Sequence, residues 1–304
     1  MDTRRLEAFT KVVDLGSVTR AASVLNIAQP ALSQQMISLE AEFSARLLNR
    51  STRGVTPTDA GKVLYRYAKI IMRQVEETRR NVLEHDGRMV GNVAVGLAPW
   101  SSVSLCGGAL IAEVRASHPG VRLQICDAFL IRLSEMVLNG ELDMAVLYGK
   151  SPARGLNYIE LGEEHFSIAA PPGLLPGAGS TIDNEVLADL PLVMPVRQSF
   201  ARQMVERACE SVHKTPDITV EVHSASNLVA ALDAGCGATV LPVEVAQNLS
   251  RQTPLEIRPL GKEMRMPLSI CIPDSEGLSD AAFAVYQILE RLLRERHQTQ
   301  QGAA

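Results

Sequence analysis

The sequence predicts an α+α/β chain: a small helical unit, one long connecting helix, and a larger α/β body. Three observations carry this. Three short helical patterns precede residue 44. An unbroken helical pattern then follows Thr56-Pro57-Thr58-Asp59. Beyond Gly91, short apolar runs alternate with helical segments, the sign of largely parallel sheets. A length of 304 residues accommodates a small domain and a two-lobed larger one.

Residues 4–15 form the first predicted helix, with Leu6, Phe9, Val12 and Val13 inward and Gly16 as its stop. The stretch Ser17 to Glu40 parses as two helices joined by a tight turn. Ser17 caps the first, Val18, Ala21, Ala22 and Leu25 give it one apolar side, and Asn26 suits the turn. The second starts near Gln29, with Pro30 in the first turn, where its missing N–H is harmless. Leu32, Met36, Leu39 and Phe43 form its buried stripe. Gln29, Ser33, Gln34 and Ser38 then occupy the opposite face, as uncharged groups able to reach base edges in a major groove. A solvated polar face would look the same, but the next segment changes the balance. Arg46 to Thr56 reads as two short strands around a turn at Gly54, flanked by Arg50 and Arg53. A basic wing beside a polar helix holds phosphates and probes the minor groove, as in a winged helix-turn-helix.

The long helix starts with Thr56 as cap, Pro57 at the first position and Asp59 as capping-box partner. It runs for about 30 residues, or about 45 Å, to Asp86-Gly87. Leu64, Ala68, Ile71, Val75, Thr78 and Val82 recur at alternating spacings of four and three, a coiled-coil-like seam that predicts self-pairing. Residues 87–91 read as a hinge. Strands are expected at 93–97, 123–126, 144–148, 165–170, 192–194, 218–222, 238–241 and 268–272. Helices are expected near 102–117, 131–139, 200–213, 226–234, 243–250 and 279–296, with a frayed Gln-rich tail after Glu295.

The net charge of −4 hides an asymmetry: residues 1–90 hold 14 Lys and Arg against 10 Asp and Glu, and the remainder 16 against 24. A basic front on an acidic body suggests a polyanion partner for the front alone. No apolar run is long enough to cross a membrane, and the polar amino end lacks a signal-peptide core, so a cytoplasmic protein is expected. Cysteines 106, 126, 209, 236 and 271 are scattered and without metal-ligand spacing, which suits a reducing compartment.

The run Ala28-Gln29-Pro30-Ala31-Leu32-Ser33-Gln34-Gln35, then Leu39-Glu40, then Arg53 to Gly61 (RGVTPTDAG), resembles the amino-terminal signature of LysR-type transcriptional regulators. Gly140 to Val146 (GELDMAV) is similar to a strand of the same family. The resemblance implies a winged helix-turn-helix domain (1–58), a linker dimerisation helix and hinge (59–90), and an effector-binding domain (91–304). The last would resemble periplasmic binding proteins, with lobes at 91–160 plus 267–296 and at 161–266. The implied partners are double-stranded promoter DNA at a near-palindromic site, RNA polymerase and further copies of the chain, as a dimer or tetramer. Stretches such as Gly91 to Pro99, Leu138 to Val146 and Ser151-Pro152 are most similar to a branch of the family that switches genes of nitrogen-source use.

Ligands in such folds sit between lobes, at strand ends and helix starts. That places Trp100, Ser101, Ser102 and Ser104 at the cleft, with Phe129 and Tyr148. Arg197, Ser199, Phe200 and Ser224 face them from the second lobe. Each serine is also a natural helix cap. Pro99-Trp100 departs from the small residues of many ligand-responsive members, so the lone tryptophan is expected to fill part of the pocket, and a small-molecule effector stays an open question. An inducer-responsive regulator of a catabolic or transport operon is the alternative, and a solute-binding protein the reading from another class. No cofactor, metal or catalysis is expected. Gly235 and Gly237 form a lone glycine pair, the six histidines are isolated, and His223 beside Ser224 suits a strand end.

Overall fold

The computed structural model describes residues 2–51, 54–83, 89–151, 153–177, 181–261, 264–274 and 277–301. Helix α1 (Thr3–Leu15) starts on Asp2, whose carboxylate accepts from the Arg4 N–H, and ends on Gly16 at φ 60°. Helix α2 (Val18–Val24) is capped by Ser17, and Asn26 makes its turn at φ 55°. Helix α3 (Gln29–Glu42) carries proline in its first turn. Strands β1 (Leu48–Ser51) and β2 (Gly54–Pro57) pair antiparallel as the wing. Glycine is required at 54. It sits at φ 123°, and a Cβ there would lie 2.7 Å from the Gly16 carbonyl oxygen. That oxygen accepts from the Val55 N–H at 2.9 Å, docking the wing on the end of α1.

Leu6, Phe9, Val12, Ala21, Leu32, Met36 and Leu39 make the core of this unit. The α3 stripe stops at Leu39. Phe43, expected to be buried, is the C-cap residue, where the chain leaves the helix, and is 42% exposed. A second correction concerns the start of α4 (Asp59–Leu83). Thr56 and Pro57 are ladder residues of β2, opposite Asn49 and Leu48. The cap is Thr58, whose hydroxyl accepts from the Gly61 N–H at 3.0 Å and donates to the Arg46 carbonyl at 2.6 Å.

In the body, the parallel trio is β4 (Gly120–Asp127), β3 (Val90–Leu97) and β5 (Met144–Tyr148). Helices α5 (Ser102–Ser117) and α6 (Leu130–Leu138) connect its strands. Two long strands cross between lobes: β6 (Leu156–Ala170) and β11 (Arg265–Pro273), antiparallel to each other. Beyond the crossing, β6 is flanked by β9 (Thr239–Pro242) and β10 (Glu256–Pro259), both antiparallel to it. The pair β7 (Pro191–Pro195) and β8 (Asp217–Val222) is parallel and bridges to this sheet at Leu192–Ala238. Helices α7 (Asn184–Asp189), α8 (Phe200–Ser211), α9 (Ala225–Asp233) and α10 (Val243–Leu249) cover the second lobe, and α11 (Asp280–Gln301) packs back on α5.

The sheets are thus not largely parallel. The crossover strands serve both lobes, and every ladder they form here runs antiparallel. Nor does the helix end at Glu295: α11 continues to Gln301, the last described residue. The β6–β11 register shifts between Leu268 and Ser269, whose partners are Gly162 and Glu160, leaving Leu161 as a bulge where the lobes meet.

Thr58→Ala removes both a cap and a tether, and should lower stability by about 0.5–2 kcal/mol. Thr56→Ala, on an exposed ladder position, should cost less. Urea unfolding of the two variants checks the order.

Candidate nucleic-acid interface and interlobe cleft

Gln29, Pro30 and Gln34 stand exposed on α3, with Ser33 and Ser38 half-buried behind them. The Gln29 amide donates to Ser33 Oγ at 3.2 Å, which holds the two polar groups side by side. No side chain caps α3, because position 28 is alanine; its first N–H groups therefore need partners from outside the helix. Arg50 is exposed on β1, opposite Val55. Arg53 lies outside the described residues. Glu40 Oε1 accepts from the N–H groups of Leu47, at 2.8 Å, and Leu48, at 3.1 Å, so α3 and the wing move as one piece.

The seam predicted on α4 is corrected at its amino-terminal half. Leu64 and Ala68 are buried in the core of their own domain, and Ile71 packs against it. Spacing alone points them at a partner chain, but α1 lies across them. Val75 is half-buried and Thr78 exposed, its hydroxyl donating to the Gln74 carbonyl at 2.8 Å. The side chain of Val82 lies outside the described residues, as do Gly87 and Arg88 of the hinge. Among the described residues of α4, the exposed large apolar groups are Val63, at 50%, and Tyr67, at 37%, with the Arg66 guanidinium 5.0 Å from the Tyr67 ring centre.

Two polar clamps fix α4. Asp14 of α1 accepts from the Tyr65 hydroxyl and, at 2.9 Å, from Lys69. Burial, then the Asp14 carboxylate, pushes the Tyr65 hydroxyl well above its ordinary pKa. About one turn beyond Lys69, Arg73 pairs with Asp143, just before β5, and donates to the Gly140 carbonyl at 3.3 Å. Asp143 is buried, and its second oxygen accepts from the Ala94 N–H at 2.8 Å. Gly140 is required because a Cβ would sit 2.9 Å from Ile70 of α4.

The cleft residues divide into two groups. Trp100, Ser104, Phe129 and Ser224 line an open cavity of about 520 Å³ between the lobes, together with His223. Trp100 is held at φ 63° and packs on the apolar cluster of the second lobe around Val193, Leu228 and Leu241. It narrows the cleft but does not fill it. Behind it, Trp100, Tyr148, Ser199 and Phe200 enclose a pocket of about 30 Å³. Ser199 and Ser224 cap α8 and α9. Arg197 does not face the cleft: it is 78% exposed and pairs with Glu206 of α8 at 3.3 Å.

Ser101 and Ser102 are buried and closed off from the open cavity. Ser101 Oγ donates to the Ala98 carbonyl at 2.5 Å, and Ser104 Oγ to the Ser101 carbonyl at 2.6 Å. Ser102 Oγ and the Tyr148 hydroxyl both donate to the carboxylate of Glu164, on β6. Glu164 is 3% exposed, and desolvation raises its pKa against the opposing effect of these donors and of the Ser102 main chain. Sequence reasoning missed this residue. Its signal was phase: Glu164 shares the inward face of β6 with Phe166, Ile168 and Ala170. Among the described residues no group of His, Cys, Asp and Glu could hold a metal ion, and no helix is long and apolar enough to cross a membrane.

A helix-turn-helix with a wing, a connecting helix and a two-lobed α/β body define a ligand-domain regulator, and the chain belongs to the LysR family of transcriptional regulators. Residues 3–62 match the bacterial regulatory helix-turn-helix family of lysR type, and residues 91–294 the LysR substrate binding domain. Over 290 residues it is 37% identical to the nitrogen assimilation regulatory protein nac of Escherichia coli, covering 95% of this chain and 94% of that protein. The fold is similar to that of ArgP from Mycobacterium tuberculosis, with a TM-score of 0.77 and 20% identity over 96% of this chain and 97% of that one. It is also similar to full-length CbnR in complex with its target DNA, with a TM-score of 0.61 and 20% identity over 97% and 99%.

Arg73→Ala strips the buried Asp143 carboxylate of its guanidinium and should cost about 1–3 kcal/mol. Asp143→Asn in the same chain should recover part of that loss. Unfolding curves of the two single variants and the double variant measure it, and hydrogen exchange along α4 should accelerate in both variants that lack Arg73.

Proposed function

We propose that this LysR-type regulator controls genes of nitrogen assimilation, binding a near-palindromic promoter site as a dimer or tetramer and acting on RNA polymerase there. The observation that carries the first part is 37% identity to nac over 95% of the chain, a span that includes both lobes as well as the DNA-binding unit. The division of labour that fits it is DNA binding by 1–58, pairing by 59–90 and regulation by 91–304. On DNA, Gln29, Ser33, Gln34 and Ser38 read bases from α3, Pro30 starts the helix, and Arg50 and Arg53 of the wing hold phosphates. A second reading, an inducer-responsive regulator of a catabolic or transport operon, is favoured by the cavity of about 520 Å³ beside Trp100, which is within the ordinary size of small-molecule sites.

Footprinting upstream of nitrogen-source genes tests the proposal; protection confined to other operons would favour the second reading. On a protected site, Gln29→Ala should lose about 1–3 kcal/mol on the specific duplex and little on a scrambled one. Arg50→Ala should weaken both and reduce the salt slope by about 1. Fluorescence titrations over a range of salt read both effects.

Pairing through α4 belongs to the face left open by its own domain. Val63→Asp should therefore break dimers while leaving the fold intact, whereas Ile71→Asp should destabilise the amino-terminal unit itself. Sedimentation and thermal melting together separate the two. Intact dimers with Val63→Asp would move the contact elsewhere.

A further inference from the structure

Glu164 is a carboxylate buried where a strand of this phase ordinarily places an apolar side chain. Its partners are neutral donors: the hydroxyl and main chain of Ser102, at the first turn of α5, and the hydroxyl of Tyr148, at the end of β5. Hydroxyls beside a helix amino end are the surroundings that proteins offer to a bound anion. The space left around the group is about 10 Å³, lined by Leu161, Gly162, Arg296 and His297 among others, and holds at most about one water. Arg296 is itself paired with Glu244 of α10. Burying a carboxyl group among neutral partners is less favourable than placing a packed apolar residue there, so packing does not by itself account for this arrangement.

We propose that the cradle of Ser102 and Tyr148 is a carboxylate-binding site permanently filled by the chain's own Glu164. In the native protein this site takes no dissolved anion. The side chain reaches it from β6, a strand shared by both lobes, while both donors belong to the first lobe, so the internal carboxylate ties the crossover strand to that lobe. The cradle is separate from the open cavity beside Trp100, which stays available to a ligand of another kind.

The atoms that Glu164 carries beyond Cβ are those of acetate, so acetate is the probe. Glu164→Ala should show a saturable rise in Tm of about 2–4 °C with millimolar acetate, measured against chloride at equal ionic strength. Wild type and Glu164→Gln, whose cradles stay filled, should show none. Adding Tyr148→Phe to Glu164→Ala should weaken the response. No acetate response in Glu164→Ala, or an equal one in all three proteins, overturns the proposal. If Glu164→Ala does not fold in plain buffer, refolding from urea in acetate and in chloride decides the matter instead: recovery selective for acetate supports the site, and equal recovery in both removes it. Acetate-dependent operator protection by Glu164→Ala is a further arm that rests on the DNA-binding reading. Its failure with the Tm response intact would count against that reading's link to the cradle and leave the cradle standing.

Discussion

One helix has to serve two domains, and most of the architecture follows from how α4 divides its surface. Leu64, Ala68 and Ile71 are used by the winged unit. Ile70 closes on Gly140 of the body, and Arg73 is drawn to the buried Asp143. A helix of this length has about seven turns, and the two clamps at Asp14 and Asp143 occupy its middle. The face that remains, around the exposed Val63 and Tyr67, is the one proposed above to meet a second copy. A coiled-coil pattern in sequence does not say which partner it faces. Here Leu64, Ala68 and Ile71 of the apolar stripe face an intramolecular core.

The lobes are held by a different device. β6 and β11 run through both, with the bulge at Leu161 between their two ladders. Trp100 reaches from the first lobe onto the apolar cluster of the second, in a left-handed backbone conformation that costs a residue of this size about 1–3 kcal/mol. Strain of that kind persists only where the surroundings hold it, and here they are the packed faces of both lobes. A tryptophan at this point lowers the volume of the cleft without closing it, so the expectation of a partly filled pocket holds for the ring and fails for the space beside it.

What was legible in the sequence was whatever depends on local spacing. The three helices of the winged unit, Ser17 as a cap, Pro30 in the first turn of α3, and the strand β5 all follow from periodicity and capping chemistry. Errors came where long-range contacts override local signals. Phe43 completes a helical stripe in sequence, yet the helix ends before it. Thr56 and Thr58 are equally good caps, and only the pairing of β2 with β1 excludes the first. The strand expected at 165–170 covers only the end of β6, because its first half carries Glu160, Gly162, Glu163 and Glu164 and its pairing with β11 comes from more than a hundred residues away. Of the candidate cleft residues, Trp100, Ser104, Phe129 and Ser224 line the open cavity, whereas Arg197 turns to Glu206 and Ser102 to Glu164.

These separate features lie on one line through the molecule. β5 is buried along its whole length. At its far end Tyr148 holds Glu164, and at its near end Asp143 holds Arg73 of α4, which in turn is fixed to α1 through Tyr65, Lys69 and Asp14. α1 carries the wing on Gly16 and packs on the helix that presents Gln29 and Ser33. A contiguous line transmits a signal only if some element along it has two arrangements, and a packed, wholly buried strand such as β5 does not supply one. The bulge at Leu161 does interrupt the ladder, and it lies close to the residue whose carboxylate fills the cradle. A change in how β6 crosses between the lobes would therefore meet Glu164, and through its hydroxyl bond Tyr148, beside the direct ladder from β6 through β11 to β5. With the cradle filled from within, the crossing is held by a group that neither diffuses away nor depends on supply.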